Sequence, residues 1–199
     1  VNGSKYYSTG SIFADWIDLY AYDDVNQRPV IAAVNRHDSG VRVLDDWDGF
    51  GHKTTGSGTL TLNKVPVEEA HLIAFEERFQ YQTAYYQQFH LVTLTGIAQS
   101  AVASFSHEVR ERKRIFSHGN ADLVRHDAQV LQVIGQASAH AYASEAITQK
   151  VAESLQQAYL SHFESTAVLE HQANVAAELE SAQGQVVVSK LVLDLTSNL

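Results

Sequence analysis

The chain has 199 residues, 45% of them apolar, which suffices for one domain or two small ones with a real core. Its 14 basic and 23 acidic residues leave a net charge of −9, which argues against a nucleic-acid surface, since neutralising phosphates needs clustered positive charge. The absence of cysteine excludes a disulfide framework, a thiolate nucleophile and cysteine metal sites within the chain, and no apolar run approaches the roughly 20 residues of a membrane span.

Taken in order, the first stretch, Lys5 to Gly10 (KYYSTG), is rich in aromatic and hydroxyl residues and closes on glycine, as a strand and turn would. Trp16 to Tyr22 (WIDLYAY) predicts a second strand, followed by the polar turn DDVNQRP. Val30 to Asn35, Val41 to Leu44 and Gly58 to Val67 predict three more. Asp23/Asp24 and Asp45/Asp46 read as turn chemistry rather than acid/base dyads, because adjacent residues on a strand point to opposite faces. Five short strands joined by turns predict an antiparallel β-sandwich or small barrel.

The texture then changes. No proline follows Pro66, and only Gly96, Gly119, Gly135 and Gly184 lie beyond Leu72. This shift puts a domain boundary near residues 68–76, giving a β-domain over 1–70 and a helical domain over 71–199. Leu91, Leu94, Ala98, Val102, Phe105 and Val109 recur at helical spacing, as do Val130, Ile134, Ala137, Ala141, Val151, Leu155 and Ala158. A third helix after Ser165 is expected to gather Ala173, Ala176, Leu179, Val186, Val187 and Leu191 on or near one face. Its segment QVVVSKLVLDL is β-branched enough for a strand to compete. Three long helices predict an antiparallel bundle that invites a fourth partner. The chain has no methionine; Val1 leads straight into a strand and Leu199 ends an apolar helix without glycine or proline. It therefore reads as an interior piece of a longer protein, incomplete at both ends. Without a signal-peptide pattern in VNGSKYYSTG, the expected compartment is the cytoplasm.

Several constellations bear on chemistry. Arg110, Arg112, Lys113 and Arg114 in RERKRIF form the obvious anion site of an acidic chain, since guanidinium forks match phosphate oxygens; a solvated helix end favoured by the dipole explains the same residues. The ten histidines show no metal-ligand spacing, so no metal site is expected. TTGSGT offers backbone N–H groups to a phosphate but lacks the P-loop ending and the strand–glycine–helix order. GSKYYSTGS is not a nucleophile elbow. Tyr85, Tyr86 and Phe89 read as core or interface packing.

Three stretches together resemble the acyl-CoA dehydrogenase superfamily of flavoproteins. KYYSTGSIFADWI is similar to its middle-domain strand, DDWDGFGHKTTGSGTLTLNKVPVEE to the segment leading out of that domain, and ERKRIF to the end of the first long helix of its C-terminal bundle. DDWDGFG and TGSGT resemble the branch of reduced-flavin monooxygenases acting on dibenzothiophene or small sulfones. The resemblance implies a flavin cofactor, FMN or FAD, with Tyr7 beside the ring system and Thr9, or its neighbour Ser8, bonding near its polar edge. It also implies a flavin phosphate at the basic segment of Arg110, Arg112 and Arg114, often from a neighbouring subunit. At His52-Lys53 the family more often shows glutamine and arginine, and lysine keeps the charge but loses the fork.

The implied catalytic residues lie outside this chain. The implied partners are a small-molecule substrate, further copies of the chain through the helical bundle, and a separate flavin reductase. Two other functions remain open at this point, an FAD-dependent acyl-CoA dehydrogenase forming 2-enoyl-CoA and a non-enzymatic oligomerising module.

Overall fold

The computed structural model of the chain describes residues 1–115 and 117–199. They form two compact units, Val1–Phe79 and Gln80–Leu199.

The first unit holds six strands, β1 (Gly3–Lys5), β2 (Trp16–Asp23), β3 (Arg28–Asn35), β4 (Val41–Val43), β5 (Leu60–Leu62) and β6 (Leu72–Ala74). They make two antiparallel three-stranded sheets, ordered β1-β5-β4 and β2-β3-β6. Alternation does the sorting: Ile17 and Leu19 of β2 turn inward while Trp16, Asp18 and Tyr20 face solvent. Ala32 and Val34 of β3, Leu60 and Leu62 of β5, and Val65 complete the core shared by the two sheets. This is the sandwich form of the expectation; no closed barrel occurs among the described residues.

Turn chemistry fixes the β2–β3 register. The Asp23 carboxylate accepts from the backbone N–H of Val25 (3.0 Å) and Asn26 (3.1 Å) and from the Asn26 amide (2.7 Å), while Gln27 takes φ 52°. Pro29, which has no N–H, sits in β3 opposite Tyr22 but outside the stretch, Val30 to Ala32, that β6 pairs. One expected strand lies earlier than Lys5 to Gly10, at Gly3–Lys5, and another is shorter than the sequence suggested. The first ends at Lys5, where residues 6–10 turn into a single 3-10 turn, Ser11–Phe13, and the fifth keeps only Leu60–Leu62 of Gly58 to Val67. Strand β6 was not expected, because three residues between 3-10 turns carry no periodicity. Its pairing with β3 holds residues past 70 to the sheet unit.

The second unit is a bundle of α1 (Gln82–Glu111), α2 (Ala128–Glu164) and α3 (Ala167–Asn198). Cross-contacts run antiparallel. Gln88 donates to the Thr148 carbonyl (3.0 Å) and Gln99 to Glu145 (3.0 Å), while Lys150 and His162 of α2 pair with Glu180 and Glu170 of α3. Asp127 caps α2 by accepting from Gln129 N–H (2.9 Å), and Thr166 caps α3. Helix α1 has no side-chain cap of its own. Instead Glu178 of α3 accepts from the Ala84 N–H at 3.0 Å, one of the donors that a helix start leaves unpaired. Glu178→Ala should therefore destabilise the bundle by about 1 kcal/mol, read as a lower urea midpoint by circular dichroism.

Helix α3 bears out one expectation and corrects another. QVVVSKLVLDL is helical, and the buried face is Asn174, Ala177, Ser181, Gly184, Val188, Val192 and Leu195 rather than the set holding Leu179 and Val186. Small residues take the inner face because the backbones approach closely: a Cβ on Gly184 would stand 3.0 Å from Val151 and 3.3 Å from Leu91. Tyr85, Tyr86 and Phe89 are exposed, so none is core. No helix among the described residues is long and apolar enough to cross a membrane.

Candidate functional site

In the first unit the site residues lie where the chain leaves β1. Tyr7 is 77% exposed and meets Trp47 edge-on, with ring centroids 5.8 Å apart at 65°. Trp47 is held from below. Its Nε1–H donates to the Gly51 carbonyl (2.8 Å), and Gly49 lies so close that a Cβ there would fall 2.3 Å from the indole. DDWDGFG is thus a loop that folds an indole back over its own glycine and presents it to Tyr7.

Beside this pair runs a chain of hydroxyls. Thr9 Oγ1 bonds Ser57 Oγ at 2.8 Å, Ser57 bonds Thr55 Oγ1 at 2.7 Å, and Thr55 donates to the His52 carbonyl at 2.7 Å. Backbone bonds lace the same segments, from Ser8 N–H to the Gly58 carbonyl (3.1 Å) and from Gly10 N–H to the Thr55 carbonyl (2.9 Å). Ser57 is buried while Thr9 is exposed, so the chain leads from the protein interior to the surface beside Tyr7. TTGSGT, read from sequence as a weak phosphate cradle, acts here as the scaffold that orients Thr9. Trp47, Thr55 and Ser57 are the site residues that the sequence did not assign, though the glycines and hydroxyls flanking them were visible signals.

Asp46 anchors the far side by accepting from Thr59 N–H (2.7 Å) and Oγ1–H (2.8 Å). These two bonds hold its carboxyl below the ordinary 3.8. A depressed folded pKa gives stability that is present above 3.8 and lost as pH falls through the lower folded value. Asp46→Asn should therefore flatten the acid limb of the first unit's stability curve below about pH 4, measured as midpoint against pH by tryptophan fluorescence.

The basic residues lie in the second unit. Arg110 is exposed in the last turn of α1, and its carbonyl accepts from Arg125 Nη1 at 3.1 Å. Arg112 closes the helix, its N–H returning to the Glu108 carbonyl (2.9 Å) and its guanidinium standing 4.0 Å from the Glu108 carboxylate. Lys113 and Arg114 are exposed beyond it, and Phe116 of the same segment lies outside the described residues. Arg125, far along the chain, thus joins the cluster, while Arg112 also borders a mostly apolar cavity of about 200 Å³ lined by Phe105, Val109, Leu123 and Val130. Guanidinium groups at a helix C-terminus can hold an anion, and the helix carbonyls alone would stabilise the same charges. No cluster of three or more metal-ligating side chains occurs among the described residues.

No protein-family model matches the chain. Solved structures do. The indole-bound form of TdsC, a dibenzothiophene monooxygenase from Paenibacillus sp. A11-2, superposes with a TM-score of 0.84 at 28% identity, over 98% of this chain and 52% of that one. Methanesulfinate monooxygenase MsuC from Pseudomonas fluorescens superposes with a TM-score of 0.84 at 21% identity, over 98% of this chain and 51% of its own, a likeness of fold. A stretch of 73 residues is 30% identical to YdbM of Bacillus subtilis (strain 168), whose name assigns it provisionally to the acyl-CoA dehydrogenases; it spans 37% of this chain and 19% of that protein.

The chain therefore has the acyl-CoA dehydrogenase fold, as the resemblance implied. Within that fold its likeness is to the dibenzothiophene monooxygenase type, and it spans about half the length of the solved structures it matches.

Proposed function

We propose that the chain supplies the flavin-facing β-domain and the assembly bundle of a reduced-flavin-dependent monooxygenase acting on a small organosulfur or aromatic substrate. The observation that carries this reading is the superposition of 98% of the chain on TdsC at 27% identity in its FMN-bound form. TdsC has also been solved with indole. The residues present fit the cofactor: an aromatic pair, exposed Tyr7 and half-buried Trp47, suits a flat ring system, and the Thr9–Ser57–Thr55 chain offers hydroxyls to its polar edge. Bound reduced FMN supplies the activation of oxygen.

In this reading the chain's own residues bind and orient. Tyr7 and Trp47 cover one side of the ring system and exclude water there. Thr9, held through Ser57, fixes the edge by hydrogen bonding, with Ser8 as the neighbouring hydroxyl. Arg110, Arg112 and Arg114 supply forks for a phosphate. The helical unit self-associates, and a separate reductase delivers the reduced flavin.

Titration with FMN tests the reading directly, because Trp47 lies in the proposed site and its fluorescence should quench on binding. A protein that neither quenches with FMN or FAD nor carries yellow colour removes the flavin proposal. Arg114→Ala should weaken FMN binding by roughly 1.5–3 kcal/mol, the loss of a charged hydrogen bond. Unchanged affinity would return Arg114 to the role of a solvated helix-end cation. The likeness to YdbM favours a second reading, an FAD-dependent acyl-CoA dehydrogenase. Bleaching of bound FAD by acyl-CoA without oxygen would establish that reading and sink the monooxygenase.

A further inference from the structure

The chain contains one Asn–Gly pair, Asn2–Gly3, and one Asp–Gly pair, Asp48–Gly49. At such pairs the main chain can attack its own side chain. A glycine nitrogen has no Cβ beside it to block its approach, so it can close a five-membered imide on the side-chain carbonyl carbon of the residue before it. In an unfolded chain the asparagine reacts first, because a neutral amide accepts the attack more readily than a carboxyl group held mostly as carboxylate.

The fold reverses that order. Asn2 is pinned, its Oδ1 accepting from the Lys64 N–H at 2.7 Å, and Gly3 opens β1 in register with Leu62. Asp48 is exposed in a stretch, residues 44–59, that forms neither helix nor strand. Among the described residues no hydrogen bond holds its carboxyl group or the Gly49 N–H. Both reacting groups are therefore free to meet. We propose that Asp48–Gly49 is a self-modification site, at which the chain converts its own aspartate to isoaspartate.

The reaction is a rearrangement that needs no oxidant or reductant. The Gly49 nitrogen bonds to Asp48 Cγ while the carboxyl OH and the amide hydrogen leave together as water, giving a succinimide. Water then adds to the main-chain carbonyl carbon of Asp48 and breaks its bond to the Gly49 nitrogen. The backbone now runs through Cβ and Cγ, one carbon longer, and the former main-chain carbonyl ends as a free carboxylate. Opening at Cγ instead restores aspartate.

The extra carbon falls where the loop has no slack. Gly49 lies so close to Trp47 that a Cβ would stand 2.3 Å from the indole, and Trp47 Nε1–H donates to the Gly51 carbonyl at 2.8 Å. A longer chain between Trp47 and Gly49 pulls that bond apart and frees the indole from its edge contact with Tyr7. The modified chain thus loses the aromatic pair. The modification itself does not depend on flavin binding; only its effect on FMN rests on the flavin reading.

Trypsin separates the two pairs, since they fall in different peptides, residues 1–5 and 43–53. The native chain, aged at 37 °C and digested, should give a second form of the 43–53 peptide, equal in mass, resolved by reversed-phase chromatography and methylated by protein isoaspartyl methyltransferase, with the 1–5 peptide unchanged. A chain aged in urea should show the opposite order, the 1–5 peptide deamidating first. Asp48→Glu keeps the charge but can close only a six-membered ring, and should abolish the isomer. A native 43–53 peptide that stays unmodified, a 1–5 peptide that reacts first in the native chain, or an isomer that persists in Asp48→Glu each overturns the proposal. Tryptophan emission of the modified chain should move to the red as Trp47 leaves its half-buried seat, and an unmoved emission overturns the release of the indole. A fresh chain that never binds FMN yet ages as described upholds the site while the flavin reading falls.

Discussion

Leu91→Ala is expected to destabilise the helical unit by about 3–5 kcal/mol, at the upper end for a buried leucine. Leu91 is fully buried at the centre of the bundle, and its Cδ1 lies against the space left by Gly184 of α3, with Val151 of α2 on the other side. Three helices meet there, so removing three carbons leaves a void that no single helix can close by shifting. The measurement is a urea unfolding curve followed by circular dichroism at 222 nm. Trp16 and Trp47 both lie in the first unit, so tryptophan fluorescence reads that unit separately. A loss under about 1 kcal/mol would mean that α1 can settle onto Gly184, and the bundle would be looser than its burial indicates. The consequence reaches the proposed phosphate site, because Arg110 and Arg112 are aimed by the end of the same helix.

How much of this was legible in the sequence depends on the kind of signal. The long helices were, because Leu91, Ala98, Val151, Leu155 and Ala158 repeat at the helical period and are all buried. The inner face of α3 was not, since valine, leucine and alanine occur all around it and periodicity cannot choose between two apolar stripes. Close approach of the backbones decided it in the middle of the helix, where Gly184, Ser181 and Ala177 turn inward and Val186 and Leu179 stay outside, while Val188, Val192 and Leu195 continue the inner face beyond them.

In the sheets, alternation in WIDLYAY revealed Ile17 and Leu19 as inward, whereas three-residue strands such as β6 are too short to carry a period. The site divides in the same way. Tyr7 and Thr9 were named through resemblance alone, whereas the arginines stood out by their clustering in an acidic chain and took a flavin phosphate only from the resemblance. Ser57, Thr55 and Trp47 stand about fifty residues or less along the chain from Thr9, and only folding brings them to it. Arg125 joins Arg110 through a backbone carbonyl, a contact that no residue pattern encodes.

Gly58→Ala should do most damage to the candidate flavin face, lowering the stability of the first unit by about 2–4 kcal/mol. An added Cβ would stand 1.9 Å from the Leu44 carbonyl oxygen, 2.8 Å from the Asp46 carboxylate and 2.9 Å from the Leu44 carbonyl carbon. Backbone, not a flexible side-chain tip, is what it strikes, so strand β4 and the Gly58 segment must separate. Leu44 N–H donates to the Thr59 carbonyl at 2.8 Å, and Asp46 brackets Thr59 from the other side; both bonds would be stretched together. The Gly58 carbonyl in turn receives Ser8 N–H, and the adjacent Ser57 holds Thr9. Displacing this one residue therefore moves both hydroxyl residues proposed to meet the flavin edge, and FMN quenching should fall with stability. Gly51→Ala is the matched control: nothing lies within 4 Å of its added Cβ, and its effect should stay within about 0.5 kcal/mol. If Gly58→Ala unfolds no earlier than Gly51→Ala, the close approach of Gly58 to Leu44 is not part of the native fold, and the scaffold assigned to Ser8 and Thr9 falls with it.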